Sequence, residues 1–149
     1  MIVEVLEHQT DVDNSAACSF FLSDLADANG ASSEEQRVYE SQVVSLEKTQ
    51  QLLPNFALPA SMDASKCHAC TAIGSQTITK GKNCADAQIV RVELCALRLQ
   101  DIDTDMLITL SLPTKNHEEI TPAHSHSHVF KDILKSLVIV NWDIIDTSL

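Results

Sequence analysis

Asp101, Asp103 and Asp105 stand at alternating positions in RLQDIDTDMLITLSLP, the spacing with which a calcium loop opens. An EF-hand loop counted from Asp101 needs glycine at its sixth position and a bidentate glutamate at its twelfth. Those places hold Met106 and Leu112, so the ligand set is incomplete and the aspartates read as a polar reversal instead. A second candidate is CHAC, which puts Cys67 and Cys70 at zinc or redox spacing. A structural zinc site needs a second pair, and only Cys84 follows at a plausible distance. A thioredoxin-type site needs a strand-to-helix setting, whereas CHAC opens a strand, so two ordinary thiols are expected. The third is HSHSH, with His124, His126 and His128. On a helix His124 and His128 would share a face and could bridge added zinc or nickel. No carboxylate or cysteine partner is in view, and solvated residues in a first helical turn are the expectation. There is no nucleophile elbow and no glycine-rich phosphate loop. Neither covalent chemistry of its own nor a metal or cofactor is expected.

The elements that would carry these residues follow from periodicity. Met106, Ile108, Leu110 and Leu112 alternate with Leu107, Thr109 and Ser111, the period-two pattern of a strand, ended by Pro113. Upstream, Val90, Val92, Leu94 and Ala96 face one way and Ile89, Cys95, Leu97 and Leu99 the other, with Arg91 and Glu93 between. Such a strand is central and covered on both sides. Strands 89–99 and 105–112 must then pair antiparallel through the short Asp101–Asp105 turn, with Leu94 and Leu110 buried. The stretch from CHAC onward forms two strands joined around TKGKN, with Gly81 at the reversal. Residues 37–46 form a further strand.

The remaining segments read as helices and one loop. MIVEVLEHQ places Ile2, Val3, Val5 and Leu6 on a helical stripe, with no cap before it. That lack of a cap implies sequence upstream. In DNSAACSFFLSDLADANG, Asp13 or Asn14 can cap a helix whose stripe is Ala17, Phe21, Leu25 and Ala28, stopped by Gly30. Residues 47–66, with Pro54 and Pro59, form a peripheral loop insertion. A last helix is capped by Thr121, has Pro122 at its first position, and buries Phe130, Ile133, Leu134 and Leu137. The order gives a single α+β domain over residues 1–149, an antiparallel sheet packed by helices.

Composition excludes several functions. The chain has 149 residues, about one domain's worth, and is 44% hydrophobic. With 10 basic and 21 acidic residues its net charge is -11, which disfavours nucleic acid and anionic lipid and favours a basic protein surface. No stretch has the length and apolarity of a membrane span. Five cysteines without framework spacing fit a reducing intracellular compartment.

Three stretches resemble the Ran-binding Mog family, the Ran guanine-nucleotide release factors of the Mog/PsbP-like fold. IVEVLE is similar to that family's helix ending in glutamate, followed by its F-x-x-x-D-L helix, here FFLSDLADANG. VELCALRLQDIDTDMLITLSLP resembles its strand pair, and VFKDILKSLVIVNWDIIDTSL its closing helix and DTSL tail. The resemblance implies an αβα sandwich that binds the small GTPase Ran, promotes guanine-nucleotide release and supports nuclear protein import, in nucleus and cytoplasm. It also implies an acidic segment before the point where this sequence starts. A form without that segment is expected to expose a sheet edge, to self-associate and to bind Ran more weakly. Among the residues present, exposed carboxylates near that edge are the candidate contacts: Glu4 and Glu7 on the first helix, Asp24 on the second, and Glu40 on the strand. The alternative is a scaffold or assembly subunit of the PsbP-like fold without Ran activity, since a fold hosts many functions.

Overall fold

The alternating stretches on either side of Asp101–Asp105 build the middle of a five-stranded, wholly antiparallel sheet. The computed structural model describes residues 1–79, 87–115 and 125–145. Its elements are β1 (Ile2–Glu7), α1 (Ala17–Ala28), β2 (Gln36–Val44), α2 (Leu46–Leu52), β3 (Cys67–Thr79), β4 (Ala87–Leu99), β5 (Thr104–Thr114) and α3 (His128–Ser136). The sheet order is β1-β5-β4-β3-β2, so β1 and β2 are its opposite ends. β4 and β5 pair antiparallel as expected, and Leu94 and Leu110 are buried. A tight turn with Asp103 at φ 50° joins them; aspartate tolerates this left-handed conformation better than most side chains.

β4 is covered on both sides, as its two apolar sets require. Val90, Val92, Leu94 and Ala96 join Ala17, Cys18, Phe21 and Leu22 of α1 in one core. Cys95, Leu97 and Leu99 join Phe130 and Leu134 of α3 in the other, with Met106, Ile108 and Leu110 from β5. The molecule is thus an α+β sandwich with α1 on one face and α3 and α2 on the other.

Four expectations are corrected. IVEVLE is an edge strand paired antiparallel with β5, not a helix, and so Glu4 and Glu7 lie on a strand. Six residues are too few for an uncapped helix to hold itself, whereas β-branched Ile2, Val3 and Val5 suit a ladder that β5 already offers. α1 has Ala16 at its cap with no side-chain hydrogen bond. Asp13 instead accepts the Ala16 amide through its carbonyl, and the Asn14 side chain is taken by an arginine. Its end is as expected. Gly30, at φ 72°, lets its own amide reach the Asp27 carbonyl and the Ala31 amide reach that of Ala26.

Residues 47–66 are no peripheral loop. Ser45 caps α2 by accepting the Lys48 amide, Pro54 follows its end, and Leu53 is buried in the α3-side core with Phe56, Leu58 and Met62 against it. Last, α3 starts at His128 behind Ser127, which accepts the Phe130 amide, and residues 125–127 are not helical. Thr121, Pro122, His124 and the Gly81 reversal lie outside the described residues.

One glycine is required by packing. A Cβ on Gly74 of β3 would come within 2.7 Å of the Arg37 carbonyl oxygen and 3.2 Å of Leu22 Cδ1. This is where β2 carries its irregularity, between Val38 and Glu40, and where Leu22 of α1 rests on the sheet.

Candidate partner-binding surface

The expected polar reversal contains a buried ion pair. Arg98 and Asp105 face each other in the β4–β5 register, and their side chains are 2% and 0% exposed. Arg98 Nε donates to Asp105 Oδ1 at 3.3 Å. Its two terminal nitrogens reach outward to the 9–14 segment: one donates to the Val12 carbonyl at 2.6 Å and Asn14 Oδ1 at 2.8 Å, the other to the Gln9 carbonyl at 2.6 Å. Asp105 completes the lock from its own side, accepting the Gln9 amide at 2.9 Å and meeting His8 Nδ1 at 2.8 Å. The connection from β1 to α1 therefore has no regular structure of its own. It is shaped by one guanidinium and one carboxylate in the sheet.

This anchored connection presents acids. Eight of the 21 acidic residues and none of the 10 basic ones lie in residues 1–36, so β1, the connection, α1 and the bend after it carry -8 of the net -11. Asp11 and Asp13 project from the connection, and Asp24 and Asp27 from the outer side of α1. Glu4 pairs in register with Leu107, a member of the α1-side core, so Glu4 shares the α1 face. Glu7 pairs with Thr104 and points to the other face of the same edge. Glu40 stands apart: it is on β2, at the far end of the sheet. Its register partner is Ile73, one position along from the α1-side Ala72, so it faces away from α1 as well. Glu4 and Asp24 thus lie on the same side of the sheet, Glu4 at the β1 edge and Asp24 on the helix that packs over β2, β3 and β4, while Glu40 faces the other side. The lack of any Lys or Arg before Arg37 is the sequence signal that marks the acidic face.

A second buried cluster ties α3 to the sheet. The Glu93 carboxylate, fully buried, accepts the Ser127 amide at 2.8 Å, the Ser127 hydroxyl at 3.2 Å and Arg91 Nε at 2.8 Å, and meets His126 Nδ1 at 3.3 Å. Arg91 also donates to the Ser125 carbonyl. His126 is thus a buried residue leaning on Phe130, not a solvated one, and it precedes the helix. Burial pushes the Glu93 carboxyl up, but the hydrogen bonds from His126 and Ser127 and the charge of Arg91 outweigh it, so the group is held below its usual range. A carboxyl lowered in the folded state adds stability above its unfolded pKa, about 4.3, and loses it as pH falls through the folded value. α3 is therefore expected to loosen on acidification below about pH 4. Hydrogen exchange along α3 as a function of pH checks this, and Glu93→Gln should remove the dependence.

The thiols serve packing. Cys67 packs on the α3-side core and Cys70 belongs to the α1-side core, so the CHAC pair is split across the sheet. Cys18, Cys67, Cys70 and Cys95 are all free. Burial raises the Cys18 and Cys95 thiols well above their usual range and Cys67 to about 11. Among the described residues no three His, Cys, Asp or Glu side chains are grouped to hold a metal ion. Among them, too, no helix is long and apolar enough to cross a membrane.

A family model described as Ran-interacting Mog1 protein matches residues 1–113. That span holds all five strands up to the last residue of β5, together with α1, α2 and the Arg98–Asp105 lock; α3 lies beyond it. A search of curated proteins gave no match. With three quarters of its length matched, sheet included, this chain belongs to the Ran-interacting Mog1 protein family.

Proposed function

We propose that this protein binds the GTPase Ran through its acidic α1-side face, promotes release of the bound guanine nucleotide and so supports nuclear protein import, acting in nucleus and cytoplasm. Family membership is the observation that carries the reading. The charge of -8 carried by residues 1–36, which span β1, the connection, α1 and the bend after it, supports it, since complementary fields steer and orient docking on a basic surface. No covalent step is required of the protein. A partner that binds the nucleotide-free GTPase more tightly than the loaded one must, by linkage, weaken nucleotide binding to the same degree. A rigidly held acidic face suits that role, because binding free energy is then not spent on ordering the connection.

The test is release of a fluorescent guanine nucleotide from Ran, followed with increasing protein. The expected result is saturable acceleration that weakens as salt rises. Glu4→Lys combined with Asp24→Lys should weaken the half-saturating concentration by about 10-fold, equivalent to about 1.4 kcal/mol. Glu40→Lys, on the opposite face of the sheet, should leave it unchanged. Equal loss in both variants would move the interface off the α1-side face. Absence of any binding to Ran would favour the scaffold reading.

A further inference from the structure

We propose that the cavity between α2, the bend that follows it and the β2–β3 end of the sheet is a binding site for a small, neutral, largely apolar molecule. The cavity measures about 460 Å³, within the range of about 300–1,000 Å³ typical of small-molecule sites. Its apolar wall is formed by Val44, Leu46, Leu53, Phe56, Leu58 and the Cys67 thiol. Among the described residues no Asp, Glu, Lys or Arg lines it. His68, also on the lining, pairs in register with Arg98 and so directs its ring to the α1 face, contributing backbone here. The Thr49 hydroxyl is already spent on the Ser45 carbonyl. Gln50 and Ser65 are the other polar lining residues, both neutral, so a charged ligand would lose its hydration with no opposite charge to replace it, whereas an apolar one would recover dispersion contacts that the bare wall lacks.

What makes this a site rather than a surface dent is that its walls are pinned independently of any content. Leu53 is anchored in the α3-side core, at 2% exposure. Asn55 Nδ2 donates to the Lys135 carbonyl at 2.7 Å, and the Phe56 and Trp142 rings meet edge-on at 5.7 Å. At the far end the Asp63 amide donates to Asp101 Oδ2 at 2.6 Å, and Lys66 Nζ pairs with Asp101 Oδ1 at 2.8 Å. With both ends of the excursion fixed to α3, Trp142 and the β4–β5 turn, the segment cannot collapse onto β2 and β3 to fill the space. A preformed cavity binds without a reorganisation cost. The site lies across the sheet from the acidic α1-side face, and the inference does not depend on Ran binding.

The test uses the full chain and N-phenyl-1-naphthylamine, a neutral aromatic dye that brightens in apolar surroundings. Saturable binding with one-to-one stoichiometry is expected. Ala57→Trp, at an exposed position on the cavity wall, should weaken it by at least about 10-fold with the circular dichroism unchanged. The second measurement reads the site without altering its wall. In a Cys84→Ser background Cys67 is the cysteine that is not buried among the four described, and saturating dye should slow its alkylation by iodoacetamide several-fold. Unsaturable brightening, dye binding indifferent to Ala57→Trp, or Cys67 alkylation unaffected by bound dye would each overturn the proposal.

Discussion

Arg98→Ala is expected to destabilise the protein by about 3–5 kcal/mol, the cost of breaking a buried ion pair by removing one partner. The magnitude follows from what is stranded. Asp105 would remain as a fully buried carboxylate with, among the described residues, His8 and the Gln9 amide against it. The carbonyls of Gln9 and Val12 would lose their donors at the same time. Urea unfolding should show the loss as a lowered midpoint with an unchanged slope. Arg98→Met with Asp105→Leu removes both charges from the interior and should recover part of that stability. It should not recover the 9–14 connection, whose shape depends on the guanidinium. Faster amide exchange at Gln9 in the double variant, with the strands still protected, separates the two roles. Equal loss of stability in the single and double variants would show that the hydrogen bonds to the connection, and not the stranded charge, dominate.

The same arrangement bears on function. Asp11 and Asp13 sit on a segment without helix or strand, and acids on a loose segment would repel one another and spread. Pinning three of its polar groups to one arginine fixes these charges ahead of the N-terminal end of α1. The double variant is therefore expected to lose affinity for Ran out of proportion to its stability. A variant of α1 packing with equal stability loss, such as Leu22→Ala, provides the comparison.

Much of the sheet was legible because period-two patterning survives without knowledge of neighbours. The two faces of β4 and its pairing with β5 follow from which residues alternate and from how short the 100–103 connection is. β1 was not legible. Its six residues satisfy a helical stripe and a strand, and the choice is made by an open ladder on β5, about a hundred residues away. The α2 segment was obscured by its prolines, although Ser45 and the Leu46–Leu53 spacing are the marks of a capped helix. The polar anchors were hidden for a different reason. Arg98, Asp105 and Glu93 stand at inward positions of strands, where a charge contradicts the pattern, and such contradictions tend to be read as surface. The usable signal was the pairing of opposite charges at equal distances from the β4–β5 turn, seven residues apart. The acidic face was legible as a run without Lys or Arg, but which of its carboxylates share a face required the register. Glu40 shows the limit: it sits near Tyr39 and Arg37 in sequence, yet at the opposite end of the sheet from Glu4.

Phe130→Ala should cost about 3–5 kcal/mol, the range for emptying a buried aromatic site. α3 has nine residues, too few to persist as a helix without tertiary contacts. It offers the sheet two fully buried side chains, Phe130 and Leu134, while Val129 is exposed and Asp132 and Lys135 point to solvent. Phe130 is also the ring on which His126 rests at a centroid distance of 5.0 Å, and its amide is the one that Ser127 caps. Removing the ring therefore unsettles the Glu93 cluster as well as the core, and the two losses should couple. Phe130→Ala combined with Glu93→Gln is expected to cost less than the sum of the separate changes, because contacts that share an element are not additive. α3 lies outside the span matched to the family, whereas the acidic face lies within it. Once stability is allowed for, Phe130→Ala should leave Ran affinity within about 3-fold of the parent, less than about 0.7 kcal/mol. A larger loss at a temperature where the variant remains folded would place part of the Ran interface on α3.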